Sequence, residues 1–186
     1  MSDGPEAEDH GRGDALADWA AVTGAREDTP PALPPQSVGQ GAVVELVAVT
    51  SETVRAICRL DVAVDQRRFV APNAVSFAEA LFEPKAWYRA IHADGVPVGF
   101  LMLFDDPGEP LYFLWRLMID TPHQGKGYGA KAIELLVAQV RARPGAIELK
   151  TSWVPGPGSP EGFYRRLGFE PTGEIDDGEI VARLVL

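Results

Sequence analysis

The sequence predicts one α/β (α+β) domain over residues 41–186, with a mixed central sheet of about six or seven strands flanked by about four helices. Three observations carry this. Tight-turn signals at Asp94-Gly95, Asp105-Asp106-Pro107-Gly108 and Asp177-Gly178 join apolar runs into hairpins. A single strand–helix–strand unit, from Leu111 to Trp153, is long enough for a right-handed parallel crossover. Within that unit, Gly125, Gly127 and Gly129 interrupt the chain between the strand and its helix.

Residues 1–40 stand apart. They hold eight acidic residues against Arg12 and Arg26, which is six of the ten net negative charges. Pro30, Pro31, Pro34 and Pro35 accompany few large apolar side chains. Such a segment buries too little to offset the entropy of ordering, so a disordered acidic, proline-rich tail is expected.

Order is expected from Gly41. Ala42–Thr50 alternates and is rich in valine, as a strand does. Ser51 is a candidate N-cap for a helix carrying Val54, Ile57 and Cys58 at helical spacing, and Asn73 for a second helix over Ala74–Glu83 that Pro84 stops. Ala86–Ala93 and Val96–Phe104 are strands joined by Asp94-Gly95. Leu111–Ile119 is almost continuously apolar, the pattern of a strand buried on both faces. The helix after the glycines places Ala130, Ile133, Leu136, Val137 and Val140 on one stripe and ends at Pro144-Gly145. Ala146–Trp153 is the second parallel strand. Ser159 opens a short helix that Gly168 ends, and Phe169–Glu174 and Glu179–Leu186 form a last hairpin.

Composition excludes several classes of function. A net charge of −10 argues against nucleic acid or an anionic membrane as partner and leaves cationic substrates open. The single cysteine, Cys58, excludes an internal disulfide framework and a cysteine-rich zinc site, and reads as a small core residue. His10, His92 and His123 lack metal-ligand spacing, so no metal is expected. No apolar run reaches the ~18 residues of a membrane span, and the N-terminus lacks a signal-like core. A cytoplasmic protein is expected.

Glycines at a helix start expose backbone N–H groups on the positive end of the helix dipole, which makes an anion site suited to a pyrophosphate. Gly125-x-Gly127-x-x-Ala130 satisfies the dinucleotide fingerprint, with Glu148 about twenty residues on. Hairpins elsewhere, a Glu148 inside its strand and the late position of the motif all oppose a doubly wound fold.

Gln124-x-x-Gly127-x-Gly129-Ala130, between strand and helix, resembles the acetyl-CoA pyrophosphate loop of the GNAT acyltransferases. Phe163-Tyr164-Arg165-Arg166-Leu167-Gly168-Phe169 resembles that superfamily's tyrosine-bearing helix and following strand. The order of elements from Ala42 to Leu186 is similar too. Within the superfamily, Phe82–Ile91, Tyr112–Asp120 and Gly158–Tyr164 look most like the bacterial spermine/spermidine acetyltransferases. One departure is Pro155-Gly156-Pro157-Gly158-Ser159, where many members carry a cofactor-binding asparagine; Ser159 is the side chain available in its place.

The resemblance implies an acetyl-CoA-dependent N-acetyltransferase acting on a small-molecule primary amine, a polyamine such as spermidine among them. It implies a splayed parallel strand pair. Backbone groups of Leu117, Met118 and Ile119 would pair with the pantetheine arm, an amide of Met118 or Ile119 would meet the oxyanion, and Gln124, Gly125, Lys126, Gly127, Tyr128, Gly129, Ala130 and Ser159 would bind the cofactor. Tyr164 is the candidate general acid, because a phenol of pKa ~10 is protonated at neutral pH and faces a thiolate near ~8.5. Glu79, Glu83 and Trp115 are candidates for the acceptor, with Asp120 a further candidate base and Tyr112 a second aromatic. An antibiotic amine, a protein N-terminus or a non-catalytic acetyl-CoA-binding role are the alternatives, and the last strands offer an edge for a homodimer.

Overall fold

The structure, a computed structural model, describes residues 41–186; the acidic segment expected to be a disordered tail lies outside the described residues. The two Asp-Gly turns explain the outer hairpins. Asp94 and Gly95 have φ of 49° and 78°, and Asp177 and Gly178 have 46° and 81°. Positive φ at both central residues is the type I′ geometry whose twist matches the flanking strands.

Strands β1 (Val44–Val47), β2 (Ala86–Ala93), β3 (Val96–Asp106), β4 (Leu111–Ile119), β5 (Glu148–Trp153), β6 (Glu170–Asp176) and β7 (Glu179–Val185) form one sheet in the order β1-β2-β3-β4-β5-β7-β6. Four α-helices join them among the described residues: α1 (Val54–Arg59), α2 (Asn73–Ala80), α3 (Tyr128–Arg141) and α4 (Glu161–Arg166). Only β4 and β5 run parallel; every other neighbouring pair is antiparallel. A doubly wound dinucleotide fold has no such sheet. Glu148, the acid of that fingerprint, instead opens β5 and pairs with Lys150 at 3.5 Å and Arg183 at 3.6 Å.

Helices cover the sheet on both sides. The first layer packs Ile133, Leu136 and Val140 of α3 and Tyr164 of α4 on Leu101, Leu103, Leu114, Leu149 and Trp153. The second packs Ile57 of α1 and Phe77 of α2 on Ala90, Phe100, Met102 and Met118. The strand enclosed on both faces is therefore β3, buried continuously from Val98 to Leu103, and not β4 as its apolar run suggested. The reason is positional: β4 stands next to a gap in the sheet, described below.

Three local expectations change. Helix α1 starts at Val54 with Thr53 at its N-cap, because Thr53 Oγ1 accepts the Thr50 N–H at 2.9 Å and folds residues 50–53 into a turn, leaving Ser51 outside. Asn73 is not a cap either. Pro72 takes that place, and the buried Asn73 side chain donates from Nδ2 to the Ile57 carbonyl at 2.8 Å, tying α2 to the end of α1. Cys58 is exposed rather than in the core, since so short a helix buries one narrow stripe and Ile57 occupies it.

Where β3 meets β4, no side chain fits. A Cβ on Gly99 would lie 2.4 Å from the Met118 carbonyl oxygen and 2.8 Å from Ile119 Cδ1. Since backbone cannot yield locally, Gly99→Ala is expected to cost about 1–3 kcal/mol or more of stability. A urea midpoint equal to that of the unaltered chain would show that β3 and β4 separate more easily than this packing implies.

Candidate functional site

The site begins with a break in strand pairing. Parallel β4 and β5 are joined at Phe113–Lys150 and Leu114–Thr151 and at no further register position. The next residue of β4, Trp115, is an extra one: Met102 of β3 faces Arg116, whereas Leu103 faces Leu114. Such a bulge bends the strand that carries it. Beyond it the two strands part, and a cleft of about 970 Å³ opens between Leu114–Ile119 and Thr151–Trp153.

The ladder shows which backbone groups face the cleft. Asp120 N–H donates to the Val98 carbonyl at 2.9 Å. Antiparallel pairs alternate, so Met118 and Arg116 also turn their polar backbone groups to β3, while Leu117 and Ile119 turn theirs to the gap. The Ile119 carbonyl confirms the parity, since it accepts Gln124 Nε2 at 2.9 Å. Of the two amides considered for an oxyanion, that of Met118 thus belongs to the β3 ladder and that of Ile119 faces the cleft.

At the wide end lies the glycine turn. Gly125 and Gly127 have φ of 73° and 86°, and a Cβ on either would meet nothing within 4 Å, so the glycines serve backbone conformation and leave open space. At Gly129 the reason is packing, as a Cβ would come 3.3 Å from the Phe163 ring. Gly127 is the N-cap of α3, and the Lys131 N–H closes the first turn on the Gly127 carbonyl at 3.1 Å. The amides of that turn point out of the helix end toward the cleft. Gln124 holds the turn by its side chain: it exchanges amide hydrogen bonds of 2.8 and 3.2 Å with Gln66 besides the bond to Ile119.

The narrow end holds Tyr164. Its ring stacks on Trp153 at 5.6 Å and meets Phe163 and Phe169 edge-on at 5.2 and 5.5 Å. Burial pushes the Tyr164 phenol up to about 12, with Thr151 opposing the shift and the Glu179 charge adding to it. The group is protonated throughout the neutral range.

The cleft brings together Trp115, Leu117, Met118, Ile119, Gln124, Gly125, Gly127, Tyr128, Gly129, Ala130, Ser159 and Tyr164. Ser159 Oγ also accepts the Glu161 N–H at 3.3 Å, at the start of α4. Lys126 lies outside the lining, and so do Glu79 and Glu83. Glu79 is held by Arg116 at 3.1 Å, and Glu83 accepts the Lys85 N–H at 2.9 Å. Asp120 accepts the Asp61 N–H at 2.8 Å and Tyr112 is a core residue bonded to the Pro144 carbonyl, so neither faces the cleft. His123, in the short turn that follows β4, is buried and lines the cleft, and burial followed by the Lys126 charge lowers its pKa.

Other lining residues escaped sequence reasoning. Arg67, Arg68 and Arg166 bring positive charge to the cleft from a loop and from the far end of a short helix, positions with no periodic signal. Arg116 did leave one, as the lone charge inside an apolar strand. Ser152 and Glu179 left none, because strand pairing alone brings them together.

This constellation can take an elongated, phosphate-bearing molecule with its polar end on the α3 amides and its reacting end beside Tyr164. The family model described as acetyltransferase (GNAT) family matches residues 52–169, and the chain belongs to that family. The L-2,4-diaminobutyric acid acetyltransferase of Streptomyces avermitilis is 34% identical over 65 residues, which are 34% of this chain and 36% of that protein. The chain thus matches little more than a third of that relative's length. The fold is similar to that of an acetyltransferase from Thermus thermophilus, with a TM-score of 0.57 at 19% identity over 77% of this chain and 97% of that one. It is likewise similar to PaiA N-acetyltransferase from Thermoplasma acidophilum in complex with coenzyme A (TM-score 0.58, 12% identity, 77% and 99% covered). A third similar structure is aminoglycoside acetyltransferase AAC(6′)-Ib, also in complex with coenzyme A (TM-score 0.63, 14% identity, 77% and 95% covered).

The positive φ at Gly127 is testable. Gly127→Ala places a Cβ in the left-handed region at a cost of about 1–2 kcal/mol, and coenzyme A affinity measured by calorimetry is expected to fall roughly tenfold. Unchanged affinity would remove the turn from the binding site.

Proposed function

We infer that the protein transfers the acetyl group of acetyl-CoA to a primary amine, with Tyr164 as general acid. The observation that carries this reading is the shared cleft: a glycine turn with outward amides at one end, a buried phenol at the other, and gap-facing backbone between them. In this reading the first-turn amides of α3 hold the pyrophosphate. The Leu117 and Ile119 backbone groups pair with the pantetheine arm, and one of their N–H groups meets the developing oxyanion. Tyr164 then gives its proton to the departing thiolate; of the two protons that the ammonium sheds on becoming an amide, one restores the phenol and the other leaves to solvent. Burial makes the phenol a weaker acid than in water, but the same dry surroundings raise the basicity of a thiolate beside it, so the transfer keeps its direction.

Resemblance to the spermine/spermidine acetyltransferases favours a polyamine as acceptor. A second reading, an amino-acid amine, is favoured by Arg116. Its guanidinium lines the cleft 5.1 Å from the Trp115 ring and is engaged by Glu79 through one nitrogen, Nη2, so a substrate carboxylate would share it with Glu79. The 65-residue match to a diaminobutyric acid acetyltransferase supports the same reading.

Tyr164→Phe is expected to leave coenzyme A affinity unchanged and to lower turnover roughly a hundredfold; steady-state turnover equal to the unaltered enzyme would take Tyr164 out of the mechanism. For the acceptor, thiol release is measured with spermidine, L-2,4-diaminobutyrate, 1,3-diaminopropane and an aminoglycoside. A polyamine enzyme works fastest on spermidine. If Arg116 receives a carboxylate, diaminobutyrate is preferred about tenfold or more over diaminopropane, which lacks only that group.

A further inference from the structure

Among the described residues lining the cleft, Glu179 is the only one with a carboxylate, against Arg67, Arg68, Arg116 and Arg166. Glu79 is neutralised by Arg116 and Asp61 by Arg67, but among the described residues no lysine or arginine forms an ion pair with Glu179. A partly buried carboxylate without a cation is unfavourable unless something compensates it. The cation-lined remainder of the cleft suits phosphates; this one acid does not.

Strand register sets where it points. Ser152 of β5 faces Val181 of β7, so Glu179 is the diagonal neighbour of Ser152 on the same face of the sheet. Ser152 Oγ donates a hydrogen bond to Glu179 Oε2, which fixes the carboxylate, and among the described residues Oε1 accepts no hydrogen bond. Side chains alternate along β5, so Ser152 and Glu179 stand on the face opposite Thr151 and Trp153. That is the face on which Trp115 packs toward α1 and α2. The glycine turn belongs to α3, on the other side of the sheet, and Tyr164 belongs to α4 on that same side.

We propose that Glu179, oriented by Ser152, receives the ammonium of the acceptor amine, which approaches through the gap from the sheet face opposite the glycine turn. This assignment rests on the acetyl-transfer reading above and adds to it the group that recognises the acceptor. One carboxylate meets one ammonium, so the site selects a primary amine by a single charged contact next to the reacting end of the cleft.

The test uses the full chain, with coenzyme A affinity measured by calorimetry and thiol release measured on the best amine of the panel. Glu179→Gln is expected to raise the KM for the amine roughly ten- to a hundredfold, the worth of a hydrogen bond to a charged group, with coenzyme A affinity within about twofold. Ser152→Ala is expected to raise it less, and Glu179→Asp to keep part of the affinity that Gln loses. An acceptor KM within about twofold of the original in Glu179→Gln, with coenzyme A affinity intact, overturns the assignment and leaves acetyl transfer standing. If the unaltered chain releases no thiol with any amine, the acetyl-transfer reading falls and this assignment falls with it.

Discussion

β4 and β5 are hydrogen-bonded at Phe113–Lys150 and Leu114–Thr151, and the next residue of β4 is the bulge at Trp115 that bends it away. A parallel pair that parted without a cause would leave backbone donors and acceptors unpaired in the middle of a sheet, at a cost of a few kcal/mol. Here the exposed groups are those of Leu117 and Ile119, and the Ile119 carbonyl is already taken by Gln124. The remaining ones stand as an unpaired strand edge along the cleft. The cleft, the place of Tyr164 at its narrow end and that of the α3 N-terminus at its wide end all follow from this one divergence.

The antiparallel hairpins serve that divergence by making the rest rigid. Two type I′ turns set the registers of β2 with β3 and of β6 with β7, and Gly99 lets β4 lie close against β3. Helices on each side then bury β3 from Val98 to Leu103. With β3 enclosed, β4 has a fixed backing, and its outward edge holds its geometry without help from β5.

Charge divides the cleft in the same way. The chain carries a net −10, six of those charges within residues 1–40, yet the cleft is lined by arginines. Arg67 and Arg116 are paired with Asp61 and Glu79, whereas Arg68 and Arg166 form no ion pair among the described residues and leave positive charge at the cleft. At the narrow end the sign reverses at Glu179, and Tyr164 stays protonated because burial and that carboxylate both disfavour its anion. Each end of the cleft therefore suits a different chemistry.

The elements and their order could be read from the chain, because hairpin turns, helix stops and apolar periodicity are local properties. So could the glycine turn and Tyr164, whose residues are consecutive or sit on one short helix. What the sequence misplaced were features decided by competition between neighbours. Asn73 looked like a cap and instead secures α1, and Cys58 looked like core and lost its place to Ile57. Arg116, Ser152 and Glu179 come from strands far apart in the chain, and no spacing rule links them. Sequence by itself thus determined the class of fold and the glycine turn before α3, since short-range sterics and backbone conformation specify those. Only the tertiary structure decided which side chains share the cleft, because sheet register and the bulge at Trp115 bring together residues of distant strands.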